Sequence, residues 1–105
     1  MKTEGTWIDV ALDGEIPNLG RKTINIEGTP VLILRVDNIY YAIEDRCTHE
    51  DRPLNEGYIE GNTITCPFHG AQFCIKTGEV KAPPAFVDLP IFPVRVYNQK
   101  VQVLI

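Results

Sequence analysis

The residues with the clearest chemical potential in this sequence are cysteines and histidines, four of which fall into two tight pairs. Cys47-Thr48-His49 forms the first pair and Cys66-Pro67-Phe68-His69 the second, with sixteen residues between His49 and Cys66. Two thiolates and two imidazoles make a set of four ligands, which fits tetrahedral zinc and also an iron-sulfur cluster of two irons with mixed ligation. The pairs therefore predict a metal centre.

The distribution of the four ligands favours two irons over one zinc. Zinc fingers usually place two Cys close together and two His close together, whereas each pair here supplies one Cys and one His. A single zinc bound by all four would require both loops to wrap it tightly, while a two-iron cluster gives each loop a natural role. A structural zinc module that binds another protein stays open. The third cysteine, Cys74, lies in the apolar stretch Phe73-Cys74-Ile75, where we interpret it as a space-filling side chain.

Short strands separated by turns must position the two pairs. Asp37-Asn38, Gly61-Asn62 and Asn98-Gln99 separate strand-like runs and indicate hairpin turns. No stretch of ten or more residues has a convincing helical period, and eight Gly and eight Pro punctuate the chain. The pattern predicts an all-β fold, a small antiparallel sandwich or barrel with the pairs in two loops at the tips of neighbouring hairpins. The predicted strands are 6–12, 21–26, 31–36, 39–43, 58–60, 63–65, 94–97 and 100–105.

Length and composition bound the class of protein. The chain has 105 residues, of which 44% are hydrophobic and 23% charged, as is typical of a single domain over 1–105. A net charge of -4 and a pI of about 5.0 argue against nucleic acid and membrane partners, and no apolar run approaches the ~20 residues that span a bilayer. The first residues, MKTEGTW, lack the apolar region of a secretory signal, so we expect a cytoplasmic protein.

The spacing of the two pairs resembles that of the Rieske [2Fe-2S] family. The stretches CTHEDRPLNEGYIEGNTITCPFHGAQF and TGEVKAPPA are similar to the ferredoxins of bacterial aromatic-ring dioxygenase systems, over about residues 40–84. The resemblance implies one cluster per chain in a cluster-binding subdomain of about 45–85. It also implies that Cys47 and Cys66 bind the inner iron and that His49 and His69 bind the outer one.

Several neighbouring residues acquire expected roles from the same resemblance. The proline-rich segment from Lys81 to Ala85 resembles a third loop that covers the cluster. Glu50 and Asp51 flank the exposed tip and are expected to meet basic groups on partners. Glu44 and Asp45 are interpreted as a solvated approach to the first loop.

Two departures from the respiratory branch of the family bear on redox behaviour. Respiratory Rieske proteins carry a disulfide between the two loops, at positions that are Arg52 and Phe68 here, so that bridge is impossible. Arg52 is expected on the solvated surface, or paired with a carboxylate. The positions that carry a Ser and a Tyr hydroxyl in that branch are Ala71 and Phe73 here. Because the lost donors disfavour the added electron, we expect a reduction potential around -150 mV.

The resemblance implies a function as a soluble one-electron carrier. Its expected partners are an NAD(P)H-dependent flavoprotein ferredoxin reductase, which donates the electron, and a terminal Rieske oxygenase, which accepts it. The sequence has no third His cluster for mononuclear iron and no Gly-rich nucleotide fingerprint, so we expect a monomeric carrier and not an enzyme. A small Rieske subunit held permanently in a reductase or oxidase complex is the alternative.

Overall fold

The structure, a computed structural model, describes residues 5–48, 52–68 and 70–105. Within those ranges the regular structure consists of strands, and no helix long and apolar enough to cross a membrane is present among them. The strands are β1 (Trp7–Leu12), β2 (Arg21–Ile26), β3 (Thr29–Val36), β4 (Ile39–Glu44), β5 (Tyr58–Glu60), β6 (Thr63–Thr65), β7 (Gln72–Cys74), β8 (Val80–Ala82), β9 (Ile91–Phe92), β10 (Val94–Tyr97) and β11 (Lys100–Leu104).

The strands form three antiparallel sheets. The first sheet has the order β1-β11-β10, the central sheet β2-β3-β4-β9, and the loop sheet β5-β6-β7-β8. All of the pairings between neighbouring strands are antiparallel. The expectation of an all-β antiparallel fold is therefore confirmed.

Strand β3 belongs to two hydrophobic cores because its side chains alternate between the two faces of the central sheet. Leu32, Leu34 and Val36 pack into a core that also receives the loop sheet. Val31 and Ile33 point the other way, into a core shared with β1 and β11. Each of these buried side chains contributes roughly 1.5–3 kcal/mol of burial free energy, so β3 is a rigid support for whatever packs on either face.

Tight turns join the hairpins where the sequence predicts them. Asp37 and Asn38 have φ values of 53° and 62°, and Asn98 and Gln99 have values of 50° and 65°, as the two-residue turns of hairpins require. Gly61, with φ of 58°, begins the turn between β5 and β6. These three hairpins are confirmed.

The sequence pattern does not predict β7, β8 and β9. Each has only two or three residues, too few to show an alternation, and none borders a two-residue turn such as Gly61-Asn62, which reveals the equally short β5 and β6. A fourth hairpin, between β2 and β3, also lies outside the predicted set. Its turn is Glu27-Gly28, and Pro30 then stands near the start of β3, where a missing N–H is tolerated.

The turn after β7 is fixed by a close approach to the chain that enters β9. Gly78 has φ of 78°. Its N–H donates to the Cys74 carbonyl oxygen, and its own carbonyl oxygen accepts from the Leu89 N–H, each at 2.7 Å. A Cβ at Gly78 would meet the Leu89 carbonyl oxygen, which leaves room for glycine alone. This contact joins the loop sheet to the segment that leads back to the central sheet.

Candidate metal centre

The two cysteines of the paired motifs lie in the same hydrophobic core. Cys47 has 0% and Cys66 2% of its surface exposed, and both belong to the core that β3 shares with the loop sheet. The two thiols come from different parts of the fold. Cys66 follows β6 and precedes β7, whereas Cys47 follows β4 of the central sheet.

The first cluster loop, residues 45–57, connects two different sheets. β4 pairs with β3 and β9, and β5 pairs with β6, so this loop is a crossover between sheets and not the hairpin tip that the sequence suggests. The loop closes on itself where the Cys47 N–H donates to the Arg52 carbonyl oxygen at 2.7 Å. His49, Glu50 and Asp51 fall inside that closure and lie outside the described residues.

Asp45 holds the first cluster loop from within. Its carboxylate is only 8% exposed and accepts hydrogen bonds from the Leu54 N–H at 2.7 Å and from the Asn55 side-chain amide at 3.0 Å. The interpretation of Asp45 as part of a solvated approach is therefore wrong. A buried carboxylate needs such donors, because burying a polar group without hydrogen bonds costs roughly several kcal/mol of folding free energy.

A second polar contact ties the end of the first cluster loop to the central sheet. The Arg21 guanidinium, on β2, donates from Nη1 to the carbonyl oxygens of Asn55 at 2.7 Å and of Gly57 at 2.8 Å. Arginine suits this role because its planar group can serve two acceptors at once. The loop that carries Cys47 is thus fixed both from inside, by Asp45, and from the neighbouring sheet.

The second cluster loop, residues 66–71, is a true hairpin tip between β6 and β7. The Cys66 N–H donates to the Ala71 carbonyl oxygen at 2.7 Å, and the Gly70 N–H donates to the Cys66 carbonyl oxygen at 3.1 Å. Gly70 has φ of 80°, which glycine adopts without strain. Both cluster loops therefore close in the same way, with the cysteine N–H bonded to a carbonyl five residues further on. His69 lies outside the described residues.

The proline-rich segment packs beside the two loops. Ala85 is buried in the same core as Cys47 and Cys66. The Thr48 hydroxyl donates to the Val87 carbonyl oxygen at 2.7 Å, which ties the chain two residues beyond this segment to the first cluster loop. Phe86, between these anchored residues, is 86% exposed.

The described residues supply two of the four expected ligands. No three metal-ligating side chains meet within 5–48, 52–68 and 70–105, and both expected histidine ligands lie outside those ranges. Ala71 and Phe73, the positions without a hydroxyl, are fully buried beside the cysteines. Two thiols at the base of two loops, in a core that excludes water, are a donor set suited to an iron-sulfur cluster.

Cys74 does not belong to the core that holds the other two cysteines. It is half-buried at the end of β7. Burial raises its pKa, but hydrogen bonds from the Thr77 hydroxyl and from the Thr77 and Lys76 N–H groups, with the Lys81 charge, leave the pKa lowered overall. Cys74 is therefore a thiol that accepts hydrogen bonds from the turn that follows β7, which adds to the space-filling role that its apolar neighbours suggest.

Comparison with known proteins decides the family. The model of the Rieske [2Fe-2S] domain matches residues 6–93. The chain belongs to the Rieske family. It is similar to the biphenyl dioxygenase ferredoxin subunit of Pseudomonas sp. (strain KKS102), with 34% identity over 85% of this chain and 83% of that protein. It is also similar to Ferredoxin CarAc of Metapseudomonas resinovorans, with 36% identity over 92% of each chain.

A solved structure supports the same assignment. In the complex of reduced oxygenase and oxidized ferredoxin of carbazole 1,9a-dioxygenase, one chain matches with a TM-score of 0.88 and 35% identity, over 93% of this chain and 92% of that one. The expected cofactor, a Rieske-type cluster, is confirmed, and the zinc module is set aside. The protein is a Rieske electron carrier and not an enzyme, as the sequence predicts. When bound, the cluster supplies reversible uptake of one electron.

Proposed function

We propose that Cys47, His49, Cys66 and His69 hold one cluster, with the thiolates on the inner iron and the imidazoles on the outer one. The observation that carries this proposal is the burial of both thiols in one core, at the base of two loops that close identically. Each histidine stands two or three residues beyond its cysteine along the chain, between that cysteine and the residue whose carbonyl closes the loop. The cluster-binding part corresponds to about residues 45–85 of a single domain.

The ligand assignment is tested by replacing each cysteine with serine. Cys47→Ser and Cys66→Ser should lose iron, acid-labile sulfide and the EPR signal of the dithionite-reduced protein, because serine is a poor ligand for this cluster. Cys74→Ser is the matched control, since it removes the third thiol of the chain, which lies outside the shared core. Full iron and sulfide in Cys47→Ser, or their loss in Cys74→Ser, would contradict the assignment.

We infer that the carrier passes electrons from an NAD(P)H-dependent flavoprotein reductase to a terminal oxygenase. The relatives named as ferredoxin subunits of dioxygenases support this, as does the solved complex of an oxygenase with a ferredoxin similar to this chain. We also infer a monomer acting in the cytoplasm, as expected of a carrier that must meet two partners in turn.

The proposed exit for the electron is the exposed end of the two cluster loops. Phe68, which precedes His69 in the chain, is 44% exposed, and Phe86 and Val87 are exposed next to the hydrogen bond from Thr48. We infer an interaction surface here because these exposed apolar side chains lie on or next to the cluster loops, and a small apolar contact suits a short-lived complex. The acidic Glu50 and Asp51 would add salt-sensitive attraction to basic groups of the partner.

The docking surface is tested by electron transfer from the reduced carrier to a biphenyl dioxygenase oxygenase in stopped flow. Phe86→Ser should slow the second-order phase severalfold without changing the reduction potential. Tyr97→Ser is the control, because Tyr97 is also more than half exposed but belongs to the first sheet. Equal slowing by both substitutions, or by neither, would contradict the surface.

We infer a potential near the low end of the Rieske range, about -150 mV, because Ala71 and Phe73 offer no hydroxyl to the cluster. Both side chains are completely buried, so bulk water does not reach them to replace those donors. Protein-film voltammetry measures the potential directly, and a value above about +100 mV would refute this inference.

A further inference from the structure

The two cluster loops touch at their exposed end through a cation and an aromatic ring. The Arg52 guanidinium carbon lies 4.7 Å from the centroid of the Phe68 ring, within the range of a cation–π interaction. We propose that Arg52 and Phe68 form a clasp that holds the two cluster loops together and slows release of the cluster. The proposal deepens the function above, since it rests on these loops being the ligand loops.

Both partners of the clasp stand on backbone that is already fixed. The Arg52 carbonyl oxygen accepts the Cys47 N–H that closes the first loop. Phe68 lies inside the turn that the Cys66 N–H closes on Ala71. The clasp therefore connects two closed turns, each of which carries a cysteine at its base and a histidine between its ends.

The position of the clasp complements that of the cysteines. Cys47 and Cys66 fix the inner ends of the loops in a core that shares β3, whereas Arg52 is exposed and Phe68 partly so. Because only the inner ends of the two cluster loops are buried in the core, we expect the loops to separate from each other first at their outer ends. A contact there resists the motion that would let solvent and chelators reach the metal.

The clasp stands at the two positions that cysteines fill in disulfide-bearing Rieske proteins. A cation–π contact at an exposed site is weak and reversible, so it restrains the loops without locking them. Its strength corresponds to about a two- to five-fold change in an equilibrium. The contact needs both a positive charge and an aromatic ring, so substitutions that remove only the charge or only the ring distinguish it from ordinary side-chain packing.

The clasp is tested by a double-mutant cycle on the loaded protein. The variants are Arg52→Gln, Phe68→Leu and the double variant, and the measured quantity is the rate at which visible absorbance disappears in excess iron chelator. We expect each single substitution to accelerate cluster loss about two- to five-fold and the double variant to be no faster than the faster single. Arg52→Lys should restore most of the wild-type rate when Phe68 is present but not in Phe68→Leu.

A second readout separates the clasp from general stability. Hydrogen exchange of peptides containing Cys47 and Cys66 should speed up in the single variants, while exchange in β3 stays unchanged. Arg95→Gln is the matched control, because it also removes a positive charge and a contact with a ring. The Arg95 guanidinium carbon lies 4.2 Å from the centroid of the Trp7 ring, on the first sheet. It should leave the rate of cluster loss unchanged.

The outcomes distinguish the clasp from the function beneath it. Two results overturn the clasp alone, provided that the wild-type protein carries its cluster. One is that the effects of Arg52→Gln and Phe68→Leu on the rate of cluster loss multiply in the double variant. The other is that Arg95→Gln accelerates cluster loss as much as Arg52→Gln does. A wild-type protein that carries no iron and sulfide after anaerobic reconstitution overturns the proposed function and the clasp together.

Discussion

Removal of the Asp45 carboxylate should destabilise the protein more than removal of any comparable surface carboxylate. In Asp45→Ala, the Leu54 N–H loses its acceptor inside the fold, where water cannot easily replace it. Hydrogen bonds to charged groups contribute roughly 1.5–3 kcal/mol each, and the half-buried bond from Asn55 adds about 1 kcal/mol. The expected loss is therefore about 2.5–4 kcal/mol.

A loss of this size is a large part of the stability of a small domain. For a chain of this length, each kcal/mol lowers the melting temperature by about 4 °C or more, so Asp45→Ala should melt at least about 10 °C lower. Asp45→Asn keeps one acceptor oxygen for Leu54 but places its amide against the amide of Asn55, so an intermediate loss is expected. Thermal unfolding of the loaded protein, followed by circular dichroism at one fixed scan rate, measures both.

The matched control is Asp88→Ala. Asp88 also accepts one main-chain hydrogen bond, from the Val80 N–H at 3.0 Å, but in an exposed position where water can take its place. Its melting temperature should fall by less than about 4 °C, in line with surface substitutions of below about 1 kcal/mol. If Asp45→Ala melts no lower than Asp88→Ala, burial of the carboxylate does not stabilise the first cluster loop and the reasoning fails.

Two further predictions follow from the turns and from a surface carboxylate. Gly78→Ala should destabilise by roughly 2–4 kcal/mol, measured as a lower melting temperature, because its φ of 78° and the main-chain oxygen in its path exclude a Cβ. Gly61→Ala, with φ of 58° and open space, should lose about half as much or less, and equal losses would refute the steric argument. The pKa of Glu15 is lowered from 4.5 by the Leu12 N–H and by Lys22, so its contribution to stability is complete above pH 4.5 and disappears as the pH falls through the lowered value. The difference in melting temperature between wild type and Glu15→Gln should accordingly shrink between pH 7 and about pH 2, and a difference that grows on acidification would contradict this sign.

The hairpins were predictable from the sequence, and the ligand pairs, which stay a prediction, could be proposed from it, because both depend on residues close together in the chain. Cys47-x-His49 is a local pattern. Asp37-Asn38 indicates a turn because both residue types tolerate the positive φ that a two-residue hairpin turn requires. Contacts between distant residues are a different matter. The burial of Asp45 depends on where the chain nine residues later returns, and an acidic residue beside a loop ordinarily indicates solvent.

The contact between Arg52 and Phe68 belongs to the same class of unpredicted features. The sequence shows that no disulfide can form between these positions, but not that the side chains meet, since sixteen positions separate them and they stand on different loops. The closure of each loop by its cysteine N–H is equally invisible in the sequence, because any carbonyl could accept it. Main-chain hydrogen bonds and ring contacts are set by the assembled loops.

The inner and outer ends of the two cluster loops are held by different kinds of interaction, and they differ in rigidity as a result. The inner end shares a core with β3, where Leu32 and Leu34 are completely buried, so displacement of Cys47 or Cys66 would disturb close packing against the central sheet. The outer end is held by a hydrogen bond from Thr48 and by the reversible contact at Phe68. If Cys47 and Cys66 bind the cluster as proposed, their rigid support would limit rearrangement when the charge of the cluster changes. The weak contacts at the outer end would leave the apolar side chains there able to adapt to the proposed partners.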